Sequence, residues 1–172
     1  MESVGGGNNS NLRDKILEPP FCSIVEVDTT SFSYLACSSC ERPLPVDSPI
    51  CRFCSKKCAF PAASKRLYRL LLSVATSETV LPVVCFDRAA RVLIGCSADE
   101  LFDFCKSHSS AAEMMGEIME GEMLQMTLCE TKKGNGKHLR VVSVVPLRTG
   151  FRPTIHTLRT LYGAVVSHRT ST

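Results

Sequence analysis

Residues 37–40 read CSSC and residues 51–54 read CRFC, and these two motifs, separated by ten residues, decide the fold. A gap of two residues lets both thiolates of one motif reach a single ion from a tight turn, and two such motifs complete a closed tetrahedral shell. The residues between them, 41–50, contain three prolines, which disfavour a helix and favour a ribbon loop. The spacing predicts one structural zinc ion with four thiolate ligands: Cys37, Cys40, Cys51 and Cys54.

The remaining cysteines, of ten in the sequence, do not form a second set of such motifs. Cys58 is an alternative ligand, but the gap of three residues after Cys54 fits a chelating turn less well. Residues 1–15 lack the apolar stretch of a secretion signal, so we expect a reducing compartment. The other thiols are then expected to pack in the core: Cys22, Cys85, Cys96, Cys105 and Cys129.

Charge is distributed unevenly along the chain, although the formal net charge is only +3. Residues 48–77 carry six bases and no acid, residues 99–130 carry eight acids and one base, and residues 131–172 carry eight bases and no acid. If the fold brings the two basic stretches together, they form the electrostatic footprint of a polyanion-binding protein. The alternative is that these charges are ordinary solvated faces.

The pattern of apolar residues predicts a mainly β chain. Strands are expected at residues 22–29, 31–36, 66–75, 80–86, 123–130 and 138–147. Helices are expected at 87–94, 98–106 and 111–119, with Gly95 ending the first and a capping box of Ser97 and Glu100 starting the second. No apolar run approaches the roughly 18 residues that a membrane span needs, so no membrane association is predicted.

The two ends of the chain complete the predicted domain organisation. Residues 1–20 are rich in Gly, Asn and Ser and end in two prolines, which predicts a disordered tail. A domain is expected at 21–148, with its ribbon at 34–58, and an amphipathic helix at 153–168. The apolar stripe of that helix follows a three-then-four spacing: Ile155, Leu158, Tyr162 and Val165.

With these elements in order, the sequence resembles the C-terminal DNA-binding domain of the large subunit of replication protein A. The resemblance covers roughly residues 21–147. The matching residues are Tyr34, both cysteine motifs, LYRL at 67–70, LSV at 72–74, VCF at 84–86 and VLIG at 92–95. Related ribbon-bearing domains occur in meiotic, telomeric and DNA-repair paralogues of that subunit. The resemblance implies a five-stranded OB-fold barrel with an inserted zinc ribbon and a C-terminal α-helix.

The resemblance also implies that one face of the barrel binds single-stranded DNA through a basic groove and aromatic stacking. Tyr68 and Arg69 match the family's strand after the ribbon, where an aromatic and a basic residue can face the nucleic acid. Phe53 would present its ring at the ribbon, surrounded by the bases Arg52, Lys56, Lys57 and Arg66. The alternatives are that Tyr68 packs in the core, since strand neighbours face opposite sides, and that Phe53 packs under the zinc.

In the family, the helix after the barrel packs with helices of two smaller subunits. This implies that Ile155, Leu158, Tyr162 and Val165 bind a partner subunit of the replication protein A type. The alternative is that the stripe folds back on the chain's own barrel.

The leading hypothesis is a zinc-stabilised OB-fold module of a nuclear complex for DNA replication, repair or recombination, which binds single-stranded DNA and docks partner subunits. Aromatic residues make up only 6% of the chain and tryptophan is absent, so the expected DNA affinity is modest. The alternative is an interaction scaffold of the same fold without DNA binding. No enzyme is predicted, because the sequence has no nucleophile and base constellation, phosphate-cradling glycine loop or open metal site.

Overall fold

The computed structural model of the chain describes residues 15–19, 21–48, 50–55, 63–130 and 138–169. Within them the strands are β1 (Ile16–Leu17), β2 (Cys22–Asp28), β3 (Ser33–Cys37), β4 (Ser64–Ala75), β5 (Val80–Phe86), β6 (Met123–Cys129) and β7 (Leu139–Pro146). The helices are α1 (Arg52–Ser55), α2 (Asp87–Ile94), α3 (Ala98–Ser107), α4 (Ala111–Met119) and α5 (Thr154–Arg169). The prediction of a mainly β chain with a C-terminal helix is confirmed.

Strand pairing forms a closed ring of five strands. β2 pairs with β4, β4 with β5, β6 with β7 and β2 with β6, all antiparallel, whereas β5 and β7 are parallel. The parallel pair requires a long crossover, which the segment from α2 to β6 supplies. β1 adds to β6 and β3 adds to β4, so the sheet has seven strands rather than the five that the resemblance implied.

The long strand β4 shows how the sequence separates the inside of the ring from the outside. Tyr68, Leu70, Leu72 and Val74 alternate along it, and each is 1% exposed or less. They belong to one core cluster that includes apolar residues of β2, β5, β6, β7 and of the helices α2 to α5. Burial of each large aliphatic side chain contributes roughly 1.5 to 3 kcal/mol, so this alternation fixes which face of β4 points inward.

The helices between β5 and β6 begin and end within one residue of their predicted bounds. α2 is followed by Gly95, whose φ of 86° is left-handed and whose N–H donates to the carbonyl oxygen of Arg91 at 2.8 Å. α3 begins with the predicted capping box, in which Ser97 and Glu100 each accept a hydrogen bond from the other's backbone N–H. Of the described helices, none is long and apolar enough to cross a membrane.

The amino-terminal end departs from the prediction. Ile16 and Leu17 lie inside the predicted disordered tail 1–20, but they pair antiparallel with Cys129 and Leu128. The added strand satisfies backbone hydrogen-bonding groups at the edge of β6, and the partly buried Leu17 packs against the core. The prediction of disorder is therefore wrong at these two positions.

Candidate functional site

The four cysteines of the two motifs form a compact cluster. Their sulfur atoms all lie within 4.8 Å of one another, and Cys37 and Cys54 have their sulfurs 3.6 Å apart, as do Cys40 and Cys51. Four thiolates bound to one ion at about 2.3 Å have sulfurs about 3.8 Å apart, so the cluster fits a tetrahedral metal shell. Three of the four side chains are buried, and that of Cys40 is partly exposed. The predicted ligand set is thus brought together and could hold a metal ion.

Local backbone structure positions both motifs. β3 ends at Cys37, and a turn follows in which the N–H of Glu41 donates to the carbonyl oxygen of Cys37 at 2.9 Å. The N–H of Cys37 donates in return to the carbonyl oxygen of Arg42 at 3.0 Å, which ties the loop back to the strand. The second motif runs from Cys51 into the short helix α1, so that Cys54 lies about one turn further along.

Backbone N–H groups favour the thiolate form of the first cysteine in each motif. The N–H of Cys40, followed by that of Ser39, lowers the pKa of Cys37 to about 6. The second motif has the same arrangement: the N–H of Cys54, three residues after Cys51, is the main cause that lowers the pKa of Cys51. Burial, followed by the neighbouring sulfurs, raises the pKa of Cys54 to about 12. Four thiolates repel one another, so a bound cation is needed for all four to ionise together.

A groove of about 370 Å³ lies on the ribbon beside the cysteine cluster. The guanidinium of Arg42 lies 3.7 Å from the centre of the Phe53 ring, which is 40% exposed. Phe53 is thus not buried under the cluster, and the exposed Arg52 lies next to it in the groove lining. The predicted contacts Lys56 and Lys57 lie outside the described residues.

Tyr68 is not available to a ligand. Its side chain is fully buried, and its hydroxyl donates to the carbonyl oxygen of Ser97 at 3.0 Å. Burial is the main cause that raises its pKa above the usual tyrosine value. The prediction that Tyr68 contacts DNA is therefore wrong, because alternation along β4 turns it into the core and turns its neighbour Arg69 outward.

Arg66 lies on the same side of β4 as Tyr68, near the beginning of the strand. Its guanidinium lies 3.5 Å from the centre of the Phe102 ring on α3, and Lys106 contacts the same ring at 4.6 Å. The backbone N–H of Arg66 also donates to the carboxylate of Asp99. Arg66 therefore packs along α3 and is not brought together with Arg69.

The outer face of the sheet carries a basic site of which the sequence predicted only Arg69; Phe86, Arg88 and Arg140 were not predicted. Arg69 is exposed and lies opposite Phe86, which is 37% exposed, in the register of β4 and β5. Phe86 also lines a groove of about 280 Å³ together with Arg88 and Arg140. Among the described residues, the salt bridges do not include these three arginines. The face thus combines an exposed aromatic ring with three guanidinium groups.

The predicted partner-binding stripe on α5 divides into two parts. Ile155 and Leu158 are 1% and 0% exposed and belong to the chain's own core, so the prediction that they face a partner is wrong. Tyr162 is half-buried; its hydroxyl lies 2.7 Å from that of Ser110, and its ring contacts those of Phe104 and His108. The first turns of α5 therefore take the alternative arrangement, in which the stripe folds back on the chain itself, and α5 packs against α2 and α4. The side chain of Val165 lies outside what the structure describes.

No protein-family model matches this sequence, and no curated protein matches it. Solved structures do match its fold. A chain of a replication protein A heterotrimer bound to single-stranded DNA matches with a TM-score of 0.66 and 17% identity, over 89% of this chain and 35% of that chain. A chain of yeast replication protein A bound to single-stranded DNA matches with a TM-score of 0.62 and 16% identity, over 95% of this chain and 92% of that chain.

These neighbours confirm the predicted resemblance at the level of the fold. This chain spans about a third of the first neighbour and nearly all of the second. Both neighbours are proteins bound to single-stranded DNA. The chain therefore has the fold of a replication protein A chain, with a four-cysteine cluster that is consistent with a zinc ribbon.

Proposed function

We propose that this chain is an OB-fold module that binds single-stranded DNA and is stabilised by a structural zinc ribbon. The single observation that carries the proposal is the outer face where Arg69 lies opposite Phe86, while Phe86 lines a groove together with Arg88 and Arg140. The closed ring of five strands, with its one parallel pair, supports its interpretation as the barrel of an OB fold. OB folds bind ligands across the strands that carry this face.

The chemistry of the face suits single-stranded DNA. Guanidinium groups neutralise phosphates, and the exposed ring of Phe86 offers a stacking surface for one base. Stacking of a base on an aromatic side chain contributes about 1 to 3 kcal/mol and tolerates any base. Because the described part of the chain places one exposed ring on this face, we expect modest affinity without sequence preference.

The ribbon groove is proposed as a second contact region for the same strand of DNA. Phe53 and Arg52 line it, and Arg42 stacks on the Phe53 ring, where a base could take the place of the guanidinium. Lys56 and Lys57 follow directly in the sequence and would add phosphate contacts. We do not include Arg66, whose guanidinium stacks on Phe102.

The metal is proposed to be Zn²⁺, because four thiolates in a tetrahedral cluster are the ligand set that structural zinc prefers. Bound zinc would neutralise the thiolates and cross-link the two motifs, and it would supply no reaction chemistry, since all four positions are filled. The ribbon groove includes Cys51, so this cross-link would also hold Phe53 in place.

The surface of α5 around the exposed Leu161 is proposed to dock a partner subunit within a nuclear complex for DNA replication, repair or recombination. Leu161 is 44% exposed on this helix, and the sequence continues with the apolar residues 164–166. One of the neighbours is a chain of a heterotrimer, which supports a role in an assembly. The alternative, a scaffold without DNA binding, is favoured by the scarcity of aromatic residues, which make up 6% of the chain.

Titration of the purified chain with fluorescein-labelled oligo-thymidine, repeated over a series of salt concentrations, tests the proposal. Binding should weaken steeply as salt rises, because phosphate contacts release condensed counterions. An absence of binding at the lowest salt concentration would reject the DNA-binding function and leave the scaffold alternative.

A further inference from the structure

We propose that Glu26 and Asp28 form an acidic boundary across the outer face, which confines bound single-stranded DNA to a short footprint over β4, β5 and β7. This inference rests on the proposed DNA-binding function and adds the length of DNA that the site accepts. Both residues are exposed on β2, the strand next to β4 in the ring. A strand of DNA that crosses the sheet from β7 towards β2 meets them last.

Strand register places the two signs of charge in one row. Asp28 pairs with Leu71, Leu71 with Val84, and Val84 with Arg140, so the row crosses four adjacent strands. Adjacent strands are about 4.8 Å apart, and the backbones at the two ends of the row are therefore about 14 Å apart. The carboxylate of Asp28 thus lies at one end of the row and the guanidinium of Arg140 at the other, and the two residues between them are apolar.

Shape alone would let DNA pass beyond β4. A groove of about 390 Å³ lies on the acidic side, at least as large as the groove of about 280 Å³ beside Phe86. Its lining includes Glu26, Asp28, Ser73 and Pro82 and has no lysine or arginine. Charge rather than space therefore distinguishes the two halves of the face.

Asp28 is held in place as a carboxylate. Its Oδ1 accepts hydrogen bonds from the N–H and from the hydroxyl of Thr30, at 3.0 and 2.6 Å. These bonds, that of the hydroxyl first, hold the pKa of Asp28 below its usual range, so it is ionised at neutral pH. Repulsion between this carboxylate and a phosphate acts over about 10 Å at 0.1 M salt, which is enough to cover the acidic groove.

The expected footprint is therefore short, at the lower end of the range of about 4 to 16 nucleotides found for OB folds. The carboxylates would repel the phosphates of a longer strand of DNA, although they make no contact with the short stretch that the site accepts. The site would thus accept a short single-stranded stretch and gain little from nucleotides that extend beyond β4.

The test compares wild-type chain with the double variant Glu26→Gln and Asp28→Asn, using oligo-thymidines of about four, eight and twelve nucleotides at low salt. Both changes are isosteric, and the side-chain amide introduced by Asp28→Asn would keep an acceptor oxygen for Thr30, so folding should be retained. We expect the affinity of the wild type to level off after the shortest oligonucleotide. The variant should bind the longest one at least about fivefold more tightly, and the shortest one with a smaller gain, because the Asp28 carboxylate also interacts with Arg69.

A matched control changes the same number of charges away from the face, with Asp103→Asn on α3 and Glu113→Gln on α4, both exposed and outside either groove lining. An equal gain at every length, shared by the control variant, would show a general effect of net charge and overturn the boundary. Wild-type affinity that keeps rising up to the longest oligonucleotide would overturn it as well. Failure of the wild type to bind any length would instead reject the proposed function itself.

Discussion

Arg69 on β4 lies directly opposite Phe86 on β5, and both side chains are exposed on the outer face of the sheet. Directly opposed residues in an antiparallel pair have Cβ atoms about 4.5 to 5.5 Å apart, so a phosphate contact and a base-stacking surface lie side by side. This spacing suits a nucleotide, whose base and phosphate are covalently linked. The pair is therefore the most informative place to test DNA binding.

Replacement of Phe86 by Ala should weaken binding of oligo-thymidine by about 1 to 3 kcal/mol, because one base loses its stacking surface. Replacement of Arg69 by Ala should weaken binding more at low salt than at high salt, because one phosphate contact is lost. It should reduce the slope of log affinity against log salt by about 1. Fluorescence anisotropy at several salt concentrations measures both effects. Phe21→Ala serves as the control, since Phe21 is 43% exposed elsewhere on the chain, and an equal loss in this variant would contradict the assignment.

Tyr68→Phe tests whether Tyr68, which the resemblance placed on the DNA-binding strand, stabilises the core or contacts DNA. The variant loses the hydrogen bond to the carbonyl oxygen of Ser97, which also accepts from the N–H of Leu101 and so keeps one partner. We therefore expect a modest loss in the free energy of unfolding, about 1 kcal/mol, and unchanged DNA affinity. Urea unfolding and anisotropy titration measure the two quantities. Weaker DNA binding without a loss of stability would reverse the conclusion.

The sequence predicts local features of this fold well, because their signals lie within a few residues of one another. Three features follow from residues that are close in the sequence. They are the end of α2 at Gly95, the capping box of Ser97 and Glu100, and the cluster formed by the two cysteine motifs. The basic face could not be predicted in this way. Phe86 and Arg140 are brought to one groove only by the parallel pairing of β5 and β7, which no local pattern encodes.

The errors have a common physical origin. Alternation along β4 showed that Tyr68 and Arg69 face opposite sides, but it did not show which side is the core. The stripe of α5 likewise showed that Ile155 and Leu158 are buried, but not whether the chain itself or a partner covers them. Periodicity identifies an apolar face, and the tertiary fold decides what that face contacts.

Metal analysis of purified chain should find one zinc ion per chain, and the double variant Cys37→Ser with Cys40→Ser should contain almost none. Two of four ligands are then lost, and the remaining thiolates cannot complete the shell. Chelation of the wild type should unfold the ribbon and leave the ring of strands, whose core cluster is separate from the cysteine cluster. Far-ultraviolet circular dichroism after chelation measures the remaining strand content.

Cys105→Ser is the matched control for the metal experiment, because Cys105 is partly buried outside the cysteine cluster. It should retain full zinc content. Zinc that persists in the double variant would contradict the ligand assignment, and complete unfolding on chelation would contradict the independence of the ring.

The capping box predicts a pH dependence of stability. The N–H of Ser97, followed by its hydroxyl, lowers the pKa of Glu100 from its ordinary value of 4.5. A carboxyl with a lower pKa in the folded state stabilises the fold above the unfolded value, and that contribution is lost as pH falls through the folded value. Glu100→Gln keeps an acceptor oxygen but removes the charge. The free energy of unfolding of this variant should be lower than that of the wild type at neutral pH. The difference between the two should shrink below pH 4.5.

Urea unfolding at stepwise pH measures the difference between the two chains. Glu113→Gln, an exposed position on α4, controls for the loss of one negative charge outside the capping box. A difference between wild type and Glu100→Gln that stays constant from neutral to acidic pH would show that the carboxylate charge has no part in capping.

Two leucines on α5 distinguish packing within the chain from docking of a partner. Leu158 is fully buried in the core, so Leu158→Ala should lower the free energy of unfolding by about 2 to 5 kcal/mol. Leu161 is 44% exposed on the same helix, so Leu161→Asp should leave stability nearly unchanged. If the surface of α5 around Leu161 docks a partner subunit, the wild-type chain alone should self-associate through this surface at high concentration, and Leu161→Asp should abolish that association. Analytical ultracentrifugation beside thermal unfolding measures both properties. A wild type that remains monomeric at every concentration, with Leu161→Asp unfolding as easily as Leu158→Ala, would show that this part of the helix also packs within its own chain.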